Sequence, residues 1–83
     1  MSIRGYILVA TEVGRTEAVG SAVRDMDSRF AKVNAVDTVT GPFDVIVQLE
    51  ADDLDQLSKC ITEDIQGIDG VQRTTTCLAV SLI

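Results

Sequence analysis

A length of 83 residues provides for one domain and no second core, and a chain this short buries only about 60–65% of the surface its unfolded form exposes, so association is the usual remedy for a marginal monomer. Apolar residues make up 46% of the sequence, nearly all of them aliphatic, which argues for folding and against disorder. A net charge of −6 works against direct binding of nucleic acid or of an anionic membrane, both of which need clustered cations.

The first ten residues lack a basic segment followed by an apolar stretch and a cleavage site, so no secretory signal is read and a cytoplasmic location is expected. No apolar run approaches the length of roughly 20 residues that a membrane-spanning helix needs. Cys60 and Cys77 sit in apolar patterns and are expected to be reduced, partly buried thiols.

In chain order, the apolar run 5–11 is short and β-branched and predicts a central strand, broken by Gly14. From Arg15 the spacing turns helical, with Val19, Ala22, Val23, Met26 and Phe30 on one stripe. Gly20 weakens that helix but permits close packing on a sheet. Residues 33–39 predict a second strand with imperfect alternation. Thr40-Gly41-Pro42-Phe43-Asp44 reads as a tight connection. Residues 44–51 alternate cleanly, Val45, Val47 and Leu49 against Asp44, Gln48 and Glu50, with Ile46 the one apolar residue on the second face.

Asp52 is the expected N-cap of a second helix, with Asp53 and Asp55 in its first turn and Leu54, Leu57, Ile61 and Ile65 as its apolar stripe. Gly67 and Gly70 end it. Residues 71–82 alternate again, Leu78, Val80 and Leu82 against Thr75, Cys77, Ala79 and Ser81.

The order β-α-β-β-α-β is that of an α+β, ferredoxin-like sandwich, a four-stranded antiparallel sheet with two helices on one face. The other face carries Ile46, Ala79 and residues of the first strand. It needs a cover, which a second subunit packing sheet to sheet would supply.

Several chemistries are missing. There is no histidine, so a nucleophile activated by histidine is excluded. No Gly-rich phosphate loop and no Cys-x-x-Cys pair is present, and no cofactor or metal is expected. Asp52, Asp53 and Asp55 lack calcium-loop spacing and read as helix-start carboxylates, and Glu63 and Asp64 as a solvated face. An RNA-binding sheet would need stacking aromatics and a basic field.

The stretch from Val39 to Leu54, with Thr40-Gly41-Pro42-Phe43-Asp44 at its centre, resembles the middle of the effector-binding (RAM) domain of the Lrp/AsnC family. Tyr6 to Glu12 with Gly14 resembles that domain's first strand and turn. Ile68 to Thr76 resembles its last turn and strand. The likeness covers nearly the whole of residues 1–83, read as a single domain. Met26 to Val33 departs from the pattern in lacking a Pro-Gly-Val type of turn.

The resemblance implies a homodimer with facing sheets, gathered into an octamer or decamer, with an amino-acid effector bound between dimers. Family members usually carry a preceding helix-turn-helix; with the domain starting at residue 3, the expectation is a stand-alone version that acts on full-length regulators of its own family. Onto matching positions the resemblance carries Gly41, Pro42, Phe43 and Asp44 of the connection and Thr74, Thr75 and Thr76 of the last strand as ligand-binding residues. Asp44 suits the ammonium of an amino acid, and backbone N–H groups near Gly41 with the threonine hydroxyls suit its carboxylate. Glu12 is a further candidate. A structural oligomerisation module without ligand, and a small enzyme of the dimeric α+β barrel type, fit the same frame. For the enzyme, only Tyr6, Asn34 and some carboxylates are available, a thin polar equipment.

Overall fold

The computed structural model describes residues 2–80. Its elements are β1 (Ile3–Thr11), α1 (Thr16–Arg24), β2 (Lys32–Thr38), β3 (Val45–Ala51), α2 (Leu54–Lys59) and β4 (Val71–Leu78). Helix α2 runs on into a π-helical turn over Cys60–Ile65. The predicted alternation through Ser81 and Leu82 lies outside the described residues.

The strands form one antiparallel sheet in the order β2-β3-β1-β4. Ile7 pairs with Val47 on one side and Thr76 on the other, and Val47 pairs with Val36. Side chains alternate across a strand, so this row sets which residues face the helices. Ile7, Val9, Val45, Val47 and Leu49 do, and all are fully buried. Val19 and Val23 of α1 and Leu57, Cys60 and Ile65 of the second helical segment close the core against them. Each such aliphatic side chain contributes on the order of 1.5–3 kcal/mol by leaving water.

Two glycines set how closely the layers approach. A methyl group at Gly20 would stand 3.3 Å from the Thr38 hydroxyl, and one at Gly5 would stand 3.0 Å from Leu57 Cδ2. Gly20 therefore lets α1 settle on β2, the close packing expected of a glycine in that helix.

Three expectations are corrected. The apolar stripe of the first helix reaches Phe30, but α1 stops at Arg24. Met26 and Phe30 still pack against the core, from irregular chain. Here Ser28 ends the helical option: its hydroxyl accepts the Phe30 N–H (3.1 Å) and donates to Asp64 Oδ2 (2.6 Å). Such local bonds compete with the helical ladder. The N-cap of α2 is Asp53, not Asp52; Asp53 is extended, and its carboxylate accepts the Gln56 N–H at 2.8 Å. Of the two thiols, Cys60 is buried but Cys77 is exposed. The imperfect alternation of β2 is a bulge at Asn34, where the pairing slips between Val33 and Ala35.

The second face of the sheet is formed by Tyr6, Leu8 and Ala10 of β1, Ile46 and Gln48 of β3, Ala35 of β2, and Thr75 and Cys77 of β4. Tyr6 is 36% exposed, and Leu8 and Ile46 are half-buried although no helix covers them. Among the described residues no helix is long and apolar enough to cross a membrane.

Candidate functional site

The connection between β2 and β3 folds over the end of β1. The Val39 N–H donates to the Asp44 carbonyl (2.9 Å), and the Asp44 N–H donates to the Val9 carbonyl (2.9 Å). Between them Gly41 takes φ +152°, a backbone conformation that a side chain would strain. Nothing stands within 4 Å of a methyl group placed there, so this backbone is open to approach.

Asp44 is half-buried and tied to β1. Its Oδ2 accepts the Thr11 N–H (2.8 Å) and the Thr11 hydroxyl (3.1 Å), and that hydroxyl also bonds the hydroxyl of Thr16 at the start of α1 (2.8 Å). The Oδ1 atom accepts no hydrogen bond among the described residues. One carboxylate thus does two things: one oxygen locks a strand end, and the other remains available to a donor.

Phe43 is half-buried beside it, and the Arg73 guanidinium lies 5.8 Å from the centre of its ring. Arg73 belongs to β4 and pairs with Ala10 of β1. Pro42 is exposed.

The threonine run divides. Thr74 and Thr76 share the side of Val9 and Ile7, and Thr75 lies beside Leu8 on the uncovered face. Thr74 is the nearest of the three to the connection, and its hydroxyl accepts from Gln66 Nε2 (2.8 Å). Thr76 sits two residues further along, about 7 Å away by strand rise. The structure therefore brings Gly41, Pro42, Phe43, Asp44 and Thr74 to one end of the sheet and leaves Thr75 and Thr76 towards its middle. Glu12 is at the same end, exposed, with its backbone N–H on the Gly70 carbonyl (2.8 Å).

Sequence reasoning passed over Thr11, Thr16 and Arg73. Arg73 stands inside a segment that carried the family likeness, but nothing in its sequence context says that it meets Phe43 from 30 positions away.

The main cavities of the protomer lie elsewhere. One of about 530 Å³ opens at the other end of the sheet along the α1–β2 connection, with Arg24, Arg29, Phe30, Lys32, Glu50 and Asp52 in its wall. Three cations and as many carboxylates line it (the third is Asp27), giving no net charge preference. The Glu50 carboxyl is held below its ordinary range, chiefly by hydrogen bonds from Asn34 and Ser2. Behind the cavity, burial pushes the Cys60 thiol up; a hydrogen bond with Ser28 works against that shift and the Asp64 charge adds to it. Among the described residues no cluster of three or more His, Cys, Asp or Glu side chains could hold a metal ion.

Comparison with known proteins places this geometry. The model of the Lrp/AsnC ligand binding domain matches residues 4–83. The chain is 32% identical over 79 residues to PH0140, an uncharacterized HTH-type transcriptional regulator of Pyrococcus horikoshii, a match covering 94% of this chain and 50% of that protein. The chain thus spans about half the length of the curated relatives it matches. Among solved structures it is similar to TTHA0845 from Thermus thermophilus, with a TM-score of 0.85 and 30% identity over 98% of this chain and 96% of that one. It also shares its fold with the transcriptional regulator NMB0573 from Neisseria meningitidis, solved as a complex with L-Met (TM-score 0.81, 18% identity, 98% of this chain and 51% of that one).

Proposed function

The chain belongs to the Lrp/AsnC ligand-binding domain family, and from that footing we propose that it is an effector-binding and oligomerisation module, working in the cytoplasm, that takes an amino acid between dimers of itself. The curated relative is a regulator-type protein, and the solved complex of NMB0573 with L-Met supports an amino acid as the ligand class. The proposal extends to regulators of the same family as partners whose assembly the bound module changes.

Asp44 carries this reading. A half-buried carboxylate has one oxygen committed to Thr11 and the other uncommitted, next to the open backbone of Gly41. An ammonium group meets such an oxygen through a charge-assisted hydrogen bond. The carboxylate of the ligand then falls to the backbone N–H groups of the connection, while Thr74 turns with Val9 to the helix-covered side. None of the main cavities among the described residues is lined by these residues, and another copy supplies the remaining wall. The uncovered sheet face with Tyr6, Leu8 and Ile46 supplies the first such contact, sheet against sheet.

Mechanism follows from linkage. A ligand seated between dimers binds only the assembled form and shifts assembly by mass action. At a ligand concentration about 100 times its dissociation constant the shift is worth about 2.7 kcal/mol per site.

The test combines sedimentation velocity with a thermal-shift screen of the twenty amino acids. A concentration-dependent oligomer is expected, together with a rise in both melting temperature and sedimentation coefficient for at least one amino acid. A monomer at every concentration, indifferent to all twenty, would sink the reading.

A further inference from the structure

We propose that Arg73 is the specificity-determining cation of this site, taking the free α-carboxylate of the ligand whose ammonium Asp44 takes, so that the module selects zwitterionic amino acids over their α-amides. This rests on the amino-acid reading above and adds to it a residue and a selection rule.

The first observation is position. Arg73 pairs with Ala10 on β1, and β1 separates β4 from β3. Two strand spacings, about 10 Å, divide Arg73 from the β3 side of the sheet. At Ala10 the intervening side chain is a single methyl group, so the long arginine stem crosses β1 unobstructed. Its guanidinium arrives over the ring of Phe43, 5.8 Å from the centroid. Phe43 directly precedes Asp44 in the chain. Charges of opposite sign therefore converge on one short segment.

The second observation is that the two charges do not neutralise each other. Among the described residues the ion pairs are Arg15 with Asp69 and Lys59 with Asp55. Arg73 stays more than 4 Å from every described carboxylate oxygen, in a sequence with 13 acidic and 7 basic residues. Asp44 meanwhile spends only Oδ2, on Thr11. The ammonium and carboxylate of one α-amino acid stand about 3 Å apart, and each is met at about 2.8 Å. Asp44 and Arg73 make no ion pair with each other, so a ligand that carries both charges can engage the two of them.

The third observation is the ring. The cation–π contact with Phe43 uses none of the guanidinium's hydrogen bonds, so its N–H edge stays free. That edge matches the two oxygens of a carboxylate through parallel hydrogen bonds. A carboxamide offers one acceptor and turns an N–H pair towards the guanidinium donors. It therefore loses both the second hydrogen bond and the charge.

Calorimetry on the full chain tests this. The probes are the twenty free L-amino acids and the α-amide of the tightest binder. Arg73→Gln is expected to weaken the free acid by about 10–100-fold, the range of a lost charged hydrogen-bond pair, and to change the amide by less than about threefold. Arg73→Lys, which keeps charge without the fork, should fall between. Asp44→Asn should weaken acid and amide alike, since both carry the ammonium. Unliganded Arg73→Gln should melt only a few degrees below the wild type, because it gives up no ion pair and only the exposed contact with Phe43. Binding of the acid unchanged in Arg73→Gln overturns the role of Arg73 and leaves the amino-acid reading standing. Failure of all twenty amino acids to bind the wild-type chain overturns both.

Discussion

Replacing Asp44 by alanine should cost stability before it costs binding. Its Oδ2 accepts the Thr11 N–H at 2.8 Å and the Thr11 hydroxyl at 3.1 Å. The hydroxyl keeps Thr16 as a partner at 2.8 Å and can turn fully towards it, so little is lost there. The backbone N–H has no substitute. A part-buried donor left without an acceptor costs about 1–3 kcal/mol, and partial access of water places Asp44→Ala near the middle, about 2 kcal/mol. In a domain this size that lowers the melting temperature by roughly 8–16 °C. Asp44→Asn presents a carbonyl oxygen of the same reach and should cost under about 1 kcal/mol. Urea unfolding of the three proteins measures the difference. Protein concentration must be held fixed, because association adds its own stabilisation. An alanine variant within about 0.5 kcal/mol of both the others would refute the argument that Asp44 holds the strand end. The outcome also selects the variant for binding work, since only asparagine separates loss of charge from loss of the lock.

Gly70→Ala should be more damaging than Gly41→Ala, although both glycines have positive φ. At Gly70 (φ +101°) a methyl group would stand 2.8 Å from Arg15 Cβ and 3.0 Å from Val19 Cγ2, whereas at Gly41 it would meet nothing within 4 Å; thermal unfolding should show about 2–4 kcal/mol lost at the first and about 1–2 kcal/mol at the second. The two thiols should separate in an alkylation time course: Cys77, on the face that the proposed copy covers, should react from the native protomer at low protein concentration and slow as the oligomer forms, and buried Cys60 only through unfolding. The raised Cys60 pKa means that the folded chain holds its proton where the unfolded chain releases it, so stability is full below the unfolded value of about 8.5 and falls as pH rises above it. Cys60→Ala should flatten that alkaline slope in urea titrations, and an unchanged slope would show that Cys60 is not its source.

Alternation in β3 was legible because burial there repeats with period two over seven residues, with no turn residue interrupting it. Helix α1 was legible at its start and misread at its end for a physical reason. Apolar spacing reports which residues reach the core, and Met26 and Phe30 do reach it. It does not report the backbone that delivers them, which Ser28 decides through bonds to Phe30 and Asp64. The cap of α2 shifted by one because Asp52 and Asp53 are chemically equivalent, and only the extended backbone of Asp53 distinguishes them. At the site, the connection and Asp44 were legible as local chemistry. The partnerships that define it were not: Thr11 with Asp44 and Arg73 with Phe43 are set by strand register over roughly 30 residues.

Register also explains why the site and the uncovered face belong to one problem. Arg73, Thr75 and Cys77 alternate onto the same face as Ala10, Leu8 and Tyr6. A copy packing over Leu8 and Ile46 therefore approaches the stem of Arg73 where it crosses Ala10. Excluding water along that stem fixes its path more firmly and strengthens the attraction of its guanidinium for an anion, because opposite charges interact more strongly at lower local dielectric. On the proposed reading, covering the sheet firms the carboxylate-binding end, and a second dimer then closes over it. A surface charge at Leu8, as in Leu8→Lys, should then weaken amino-acid binding although Leu8 pairs with Ile46 and Thr75 and not with the connection between β2 and β3.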